Sequence, residues 1–254
     1  MNTLVLQQVV SGEGFSTLVE LENSELTAIR GFVNDNWRAR LEDVANKNGV
    51  HIEIRRMEAD RYHDIEGMFI HKELWPKSQR ILNHSFIDWF NNSHFKKRLT
   101  QELGTFNVSD EESLGYPNFY WRICRPFAED DIGPVHRDSW FWEANPSFPK
   151  PDYRFSRIKI WIPLYVEPGL NGLMVEPFSH LRTDIDWMPE YRDGIMKPKI
   201  LTSAEHMKLV LVYTQNGQAI IFNDDLLHGG SINMGKRTRI SLEFTALVRD
   251  YNEI

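Results

Sequence analysis

Cysteine is nearly absent. Cys124 is the only one in 254 residues, so no internal disulfide can form, and its expected place is as a small buried residue in a strand. No apolar run approaches the ~20 residues of a membrane helix. The first ten residues, Met1 to Val10, lack a basic segment and a long apolar core, which argues against a signal peptide. Basic charge is in deficit: 29 Lys and Arg against 36 Asp and Glu leave a net charge of −7. That argues against general affinity for nucleic acid or an anionic membrane. Internal repeats, low-complexity tracts and obvious linkers are missing too. The expectation is a soluble cytoplasmic protein of one domain, 1–254, with a hydrophobic share of 41% that suffices for a substantial core.

Residues 4–10 and 15–21 read as short strands. A helix is predicted from Ser24, with Thr27 in the capping-box position. Leu26, Ile29, Val33, Trp37, Leu41 and Val44 recur at three- and four-residue spacing, and Asn48-Gly49 ends the pattern. Val50 to Ile54 alternates and reads as a strand. Helical spacing returns over 68–103 in Ile81, Leu82, Phe86, Trp89, Phe90, Phe95 and Leu99, and Gly104 stops it. After about residue 117, short apolar runs are split by Gly, Pro and aromatic residues. Strands are predicted at 118–124, 158–166, 173–176, 209–213, 219–222 and 240–248. Many short strands with turn signals suggest a sandwich or barrel, of which a double-sheet jelly roll is one form. The expected fold is mainly β with flanking helices: a β core over 117–250, buttressed by the helices of 1–116.

The chemistry starts at Gly133-Pro-Val-His-Arg-Asp-Ser139. On a strand, residues i and i+2 share a face, so His136 and Asp138 can meet on one ion. Two histidines and one carboxylate on one side of an octahedral ferrous ion form the site of non-haem oxygenases. The second histidine is expected at His228, after the apolar run 219–222 and before Gly229-Gly230, where glycine permits close backbone approach. Eleven residues on, Arg239 and Ser241 share a strand face. A guanidinium and a hydroxyl there can grip a carboxylate, such as the distal one of 2-oxoglutarate.

His136-x-Asp138, His228 and Arg239-x-Ser241 in this order resemble the Fe(II)/2-oxoglutarate-dependent dioxygenases. Lys159-Ile-Trp-Ile-Pro-Leu-Tyr165 and Asn171-Gly-Leu-Met-Val-Glu-Pro-Phe-Ser-His180 narrow the resemblance to the phytanoyl-CoA dioxygenase family, over roughly 117–248. One departure is Phe178, where that family usually has glycine. The resemblance implies a double-stranded β-helix (jelly-roll) core and a ferrous ion held by His136, Asp138 and His228. It also implies 2-oxoglutarate anchored by Arg239 and Ser241, with Trp161 flanking it, and O2 as the oxidant. The expected outcome is hydroxylation of a small-molecule substrate with release of succinate and CO2. Tyr120 and Arg122 face the same way on the strand before the metal pair. Either can reach the co-substrate, or Arg122 can pair with a carboxylate. Arg237 is the rival anchor to Arg239, better suited to a solvated strand end. Residues 139–153, rich in aromatics and proline, read either as a lid with Trp140 and Trp142 in the substrate wall, or as a loop packed on the core.

Other readings compete. His136-Arg-Asp138 matches the kinase triplet, but position 143 is Glu143 where that loop needs Asn. His51-x-Glu53 reads as the polar face of a strand, and His71-x-Glu73 falls in a helix, where i and i+2 diverge. His180 and His206 read as structural or surface residues. A non-oxidative cupin-like metal or isomerase domain would explain the histidines and Asp138 but gives Arg239-x-Ser241 no role. A vestigial binding protein is argued against by the intact ligand set.

Overall fold

The computed structural model describes residues 3–145, 154–192 and 194–249. Residues 4–10 are a helix, α1 (Leu4–Val10), and not a strand. A short Leu/Val run suits either state. Here the Thr3 hydroxyl accepts the Leu6 N–H at 3.3 Å, and Val5, Leu6 and Val9 form a buried helical face. The strand read at 15–21 is only β1 (Phe15–Ser16). α2 (Asn23–Asn48) begins earlier than predicted, with Glu22 as its cap: the Glu22 N–H donates to the Glu25 carboxylate at 3.0 Å. It ends at Gly49, whose φ of 67° is left-handed.

The strand expected at 50–54 does not form. Val50 donates back to Ala45, and Ile54–Arg56 is a short 3-10 turn. The region 68–103 splits into α3 (His71–Leu74), α4 (His84–Asn92) and α5 (His94–Leu103). Asn83 and Ser93 cap α4 and α5 with side-chain oxygens, so each local cap starts its own helix.

Next come β2 (Phe106–Val108), β3 (Tyr120–Cys124), α6 (Ser139–Ala144) and the long β4 (Phe155–Tyr165). They are followed by β5 (Leu173–Val175), β6 (Trp187–Arg192), β7 (Ile195–Ile200) and β8 (Val210–Leu211). The chain continues through β9 (Ile220–Asn223), β10 (His228–Gly230) and β11 (Arg239–Arg249). One sheet runs β1-β9-β4-β11-β2, with β3 also on β11; a second runs β10-β5-β8; β6 and β7 form a separate hairpin. All of these pairings are antiparallel.

The fold is mixed and not mainly β: 36% helix against 25% strand. The N-terminal helices supply much of the core, and short strands leave long connections.

Alternation on the two long strands positions the site. Ile158, Ile160, Ile162 and Leu164 of β4, with Ile240, Leu242, Phe244 and Ala246 of β11, join one apolar cluster with Trp37 and Leu41 of α2 and Phe90, Phe95 and Leu99 of α4 and α5. Each large apolar side chain buried there contributes about 1.5–3 kcal/mol. The opposite parity puts Arg157, Lys159 and Trp161 of β4, and Arg239, Ser241, Glu243 and Thr245 of β11, on the other face. There Trp161, Ile220 and Phe222 pack with Leu173 and Val175 of the second sheet. The charged and hydroxyl-bearing residues of the two long strands therefore lie between the two sheets.

Candidate active site

The turn before the metal pair is folded by charge. Arg125 makes two contacts of 2.9 Å with the Asp131 carboxylate and its backbone N–H donates to the same group at 2.8 Å. His71 Nε2 lies 3.4 Å from Asp131. The chain then runs back along β10. His136 and His228 exchange two backbone hydrogen bonds of 2.9 Å each. A Cβ on Gly229 would come 3.3 Å from Val135 Cα, so glycine permits this close approach.

The bridge sets both rings on one side, 4.5 Å between centroids. Asp138 closes the cluster, with Oδ1 3.5 Å from His136 Nε2 and Oδ2 3.6 Å from His228 Nε2. One ligand atom from each residue lies within 4.8 Å of the others. His136 Nδ1 donates to Pro134 O at 2.7 Å and His228 Nδ1 to Leu226 O at 2.9 Å. A carbonyl accepts only from N–H, so both Nε2 lone pairs are left for a ligand. Burial pushes His228 down to about 4, which keeps it neutral and ligand-ready. Burial alone would raise Asp138, but the Lys159 ammonium prevails and holds it ionised.

The donor set fits a ferrous ion: two imidazole nitrogens and the Asp138 carboxylate, whose buried Oδ2 has no hydrogen-bond partner among the described residues. The residues also fit a dicarboxylate. Arg239 is buried, and its guanidinium donates to carbonyls, Gly172 O at 2.6 Å and Ser231 O at 3.2 Å. The Ser241 hydroxyl, on the same strand face, is buried without a hydrogen-bond partner among the described residues. A Cβ on Gly230 would meet Arg239 Nη2 at 3.2 Å. Arg237, the rival anchor, is 64% exposed and lies 3.6 Å from Asp60.

Trp161 is buried opposite Glu243 and Ile220 in register. Tyr120 is also opposite Glu243, but its hydroxyl donates to Glu112 at 3.0 Å. Burial pushes that phenol up, and the acidic neighbours add to the effect. Arg122 pairs with Glu243 at 2.8 Å, the second of its two expected roles.

Residues 139–144 form the helix α6, and 146–153 of the aromatic segment lie outside the described residues. Trp140 is buried, stacked 5.1 Å from Trp187 of the β6–β7 hairpin with the Arg137 guanidinium 5.5 Å from its ring. Asn145 ties α6 to that hairpin: its Nδ2 donates to Met196 O at 2.8 Å, and Met196 N–H donates to its Oδ1 at 3.2 Å. Trp142 carries the Arg157 guanidinium 4.1 Å over its ring. Phe141, which the sequence reading did not single out, meets the His136 ring edge-on at 5.3 Å.

The sequence reading also missed a polar floor beneath the cluster. Arg157 pairs with Glu111 at 3.0 Å and Asp224 at 3.2 Å, and the Thr245 hydroxyl donates to Glu111 at 2.5 Å. Lys159 lies 3.7 Å from Glu111 and 3.8 Å from Asp138. Burial opposes its charge, but these carboxylates outweigh it and keep the ammonium protonated. Burial raises Asp224 above the ordinary carboxylate range. The signal for this floor was two cations at alternate positions of the apolar run Arg157-Ile-Lys-Ile-Trp161.

Residues 35–241 match the family model of phytanoyl-CoA dioxygenase. Among solved structures, the fold is similar to the non-heme α-ketoglutarate-dependent carbocyclase SnoK from nogalamycin biosynthesis. That match has a TM-score of 0.53 and 15% identity, and covers 98% of this chain and 84% of that one. It is also similar to the non-heme monooxygenase ThoJ, with a TM-score of 0.51, 12% identity and coverage of 93% and 74%. No curated protein matches. Among the described residues, no helix is long and apolar enough to cross a membrane.

Proposed function

The chain belongs to the phytanoyl-CoA dioxygenase family, whose members use ferrous iron, 2-oxoglutarate and O2, and from that premise we propose that it hydroxylates a small-molecule substrate. The observation that carries the reading is the convergence of His136, Asp138 and His228 beside a buried arginine that has no carboxylate partner among the described residues. In this reading the two sheets form a double-stranded β-helix core, with 1–254 acting as one domain.

Each residue has a task set by its surroundings. His136 and His228 present Nε2 because their Nδ1 atoms are tied to backbone carbonyls. Asp138 supplies the anionic ligand. Arg239 and Ser241 hold the distal carboxylate of 2-oxoglutarate, and Trp161 forms the wall beside it. When bound, the ferrous centre supplies oxidative decarboxylation of 2-oxoglutarate to succinate and CO2 and transfer of one oxygen atom to the substrate. Phe141 and Trp142 cover the cluster from the α6 side and exclude water. Trp140 supports that wall from behind through Trp187. Tyr120 and Arg122, each engaged by a glutamate, shape the co-substrate cavity through its electrostatics.

A carboxylate ligand favours hydroxylation: with Asp138 in place, the position that a halide would need is filled. The test is a metabolite screen for products that gain one oxygen atom only when Fe(II), 2-oxoglutarate and O2 are all present. Products with a new ring or an inverted centre and no added oxygen would retain the family chemistry and overturn hydroxylation.

A further inference from the structure

Lys159 has no role in the reading above, yet it is the charged side chain placed nearest the metal carboxylate. It is 93% buried, at 7% exposure. Its closest carboxylates, Glu111 and Asp138 at 3.7 and 3.8 Å, are beyond hydrogen-bond reach. Among the described residues its ammonium has no acceptor within 3.5 Å. The ammonium of this buried side chain is therefore held beside the metal cluster with no hydrogen bond to another described residue. Such a group is costly unless something completes it.

Strand register says where that partner comes from. Ser241 is opposite Pro163, and Lys159 lies four residues back along β4, about 13 Å at strand spacing. Arg239 and Ser241 thus mark one end of this strand face, and Lys159 with Asp138 marks the other. A dicarboxylate gripped at Arg239 directs its 2-oxo-acid end toward Lys159.

The charge inventory agrees. Between the sheets, Arg122, Arg157, Lys159 and Arg239 stand against Asp138, Glu111, Asp224 and Glu243, four cations to four carboxylates. A ferrous ion added to that set is balanced by a doubly charged co-substrate. The co-substrate is then the anion that Lys159 meets.

Building on the proposed function, we propose that Lys159 is a positioning residue for the reaction, donating hydrogen bonds to the 2-oxo-acid end of 2-oxoglutarate. A fixed cation beside Asp138 opposes a second cation there and favours an anion. Lys159 therefore weakens metal binding while strengthening co-substrate binding, two effects of opposite sign. A merely structural lysine would support both.

The experiment is calorimetric titration of the full chain with Mn(II), then of the Mn(II)-loaded protein with 2-oxoglutarate, for wild type, Lys159→Met and Lys159→Arg. Lys159→Met is expected to bind Mn(II) at least as tightly as wild type and 2-oxoglutarate about tenfold or more weakly. Lys159→Arg is expected to restore most of the co-substrate affinity. Weakening of both ligands together in Lys159→Met, or unchanged 2-oxoglutarate affinity, overturns the assignment of Lys159 alone. Wild-type protein that binds Mn(II) but no 2-oxoglutarate overturns the proposed function with it.

Discussion

Removing one oxygen atom separates a binding role from a structural one at Ser241. The hydroxyl is buried and has no hydrogen-bond partner among the described residues. A polar group desolvated in this way costs about 1–3 kcal/mol. Ser241→Ala should therefore leave the metal-free protein as stable as wild type, or more stable by about 1 kcal/mol. The same hydroxyl, donating to a carboxylate, makes a charge-assisted bond of about 1.5–3 kcal/mol. Affinity for 2-oxoglutarate should accordingly fall about tenfold to a hundredfold. Urea unfolding of the metal-free protein gives the first quantity, and calorimetry on the Mn(II)-loaded protein the second. A variant that is clearly destabilised yet binds 2-oxoglutarate unchanged would refute the reasoning, because the hydroxyl would then be serving the fold.

Arg239→Ala should weaken 2-oxoglutarate binding by about 2–5 kcal/mol, as for a desolvated charge pair. Arg237→Ala, at an exposed residue, should change it by less than about 1 kcal/mol; calorimetry giving the reverse ranking would move the anchor. His228 is held down to about 4 by burial, against 6.5 ordinarily, so the unfolded chain takes up its proton first as pH falls. Stability from this group is present above pH ~6.5 and is lost on the way down to pH ~4, up to about 3 kcal/mol in the metal-free protein. Urea midpoints across that range should show the slope, and His228→Gln should flatten it. Phe178 sits at φ 63°, a left-handed conformation where a side chain is strained. Phe178→Gly should leave the fold intact and stabilise it by about 1 kcal/mol or less, read as a small rise in urea midpoint.

Phe178 also shows how legible the chain was. The departure from glycine stood out in the sequence, and the left-handed turn explains why glycine is usual there. The site was readable because its parts are short and rigidly spaced. His136 and Asp138 are two apart, and Arg239 and Ser241 share a strand face. Such spacings survive any error in the surrounding elements.

Reading the fold was harder. The Leu/Val run of α1 suits strand and helix alike, and only the Thr3 cap and burial of Val5, Leu6 and Val9 decide it. The 50–54 stretch alternates like a strand but bends back onto the end of α2, and no strand pairs with it among the described residues. The β6–β7 hairpin was missed although Asp193-Gly194 is a hairpin signal, because Pro189 and Pro198 break its pattern. Lys159 was hidden by its surroundings: a charged residue in an apolar strand means nothing until the register places Asp138 beside it.

The central claim is that this chain binds ferrous iron through His136, Asp138 and His228 and consumes 2-oxoglutarate there. The most direct test measures succinate released from 2-oxoglutarate under O2 by Fe(II)-loaded wild type and Asp138→Ala, with calorimetric binding of 2-oxoglutarate alongside. Succinate from wild type and none from folded Asp138→Ala is the predicted result. Folded wild type that holds iron yet neither binds 2-oxoglutarate nor releases succinate, or an Asp138→Ala variant as active as wild type, would contradict it.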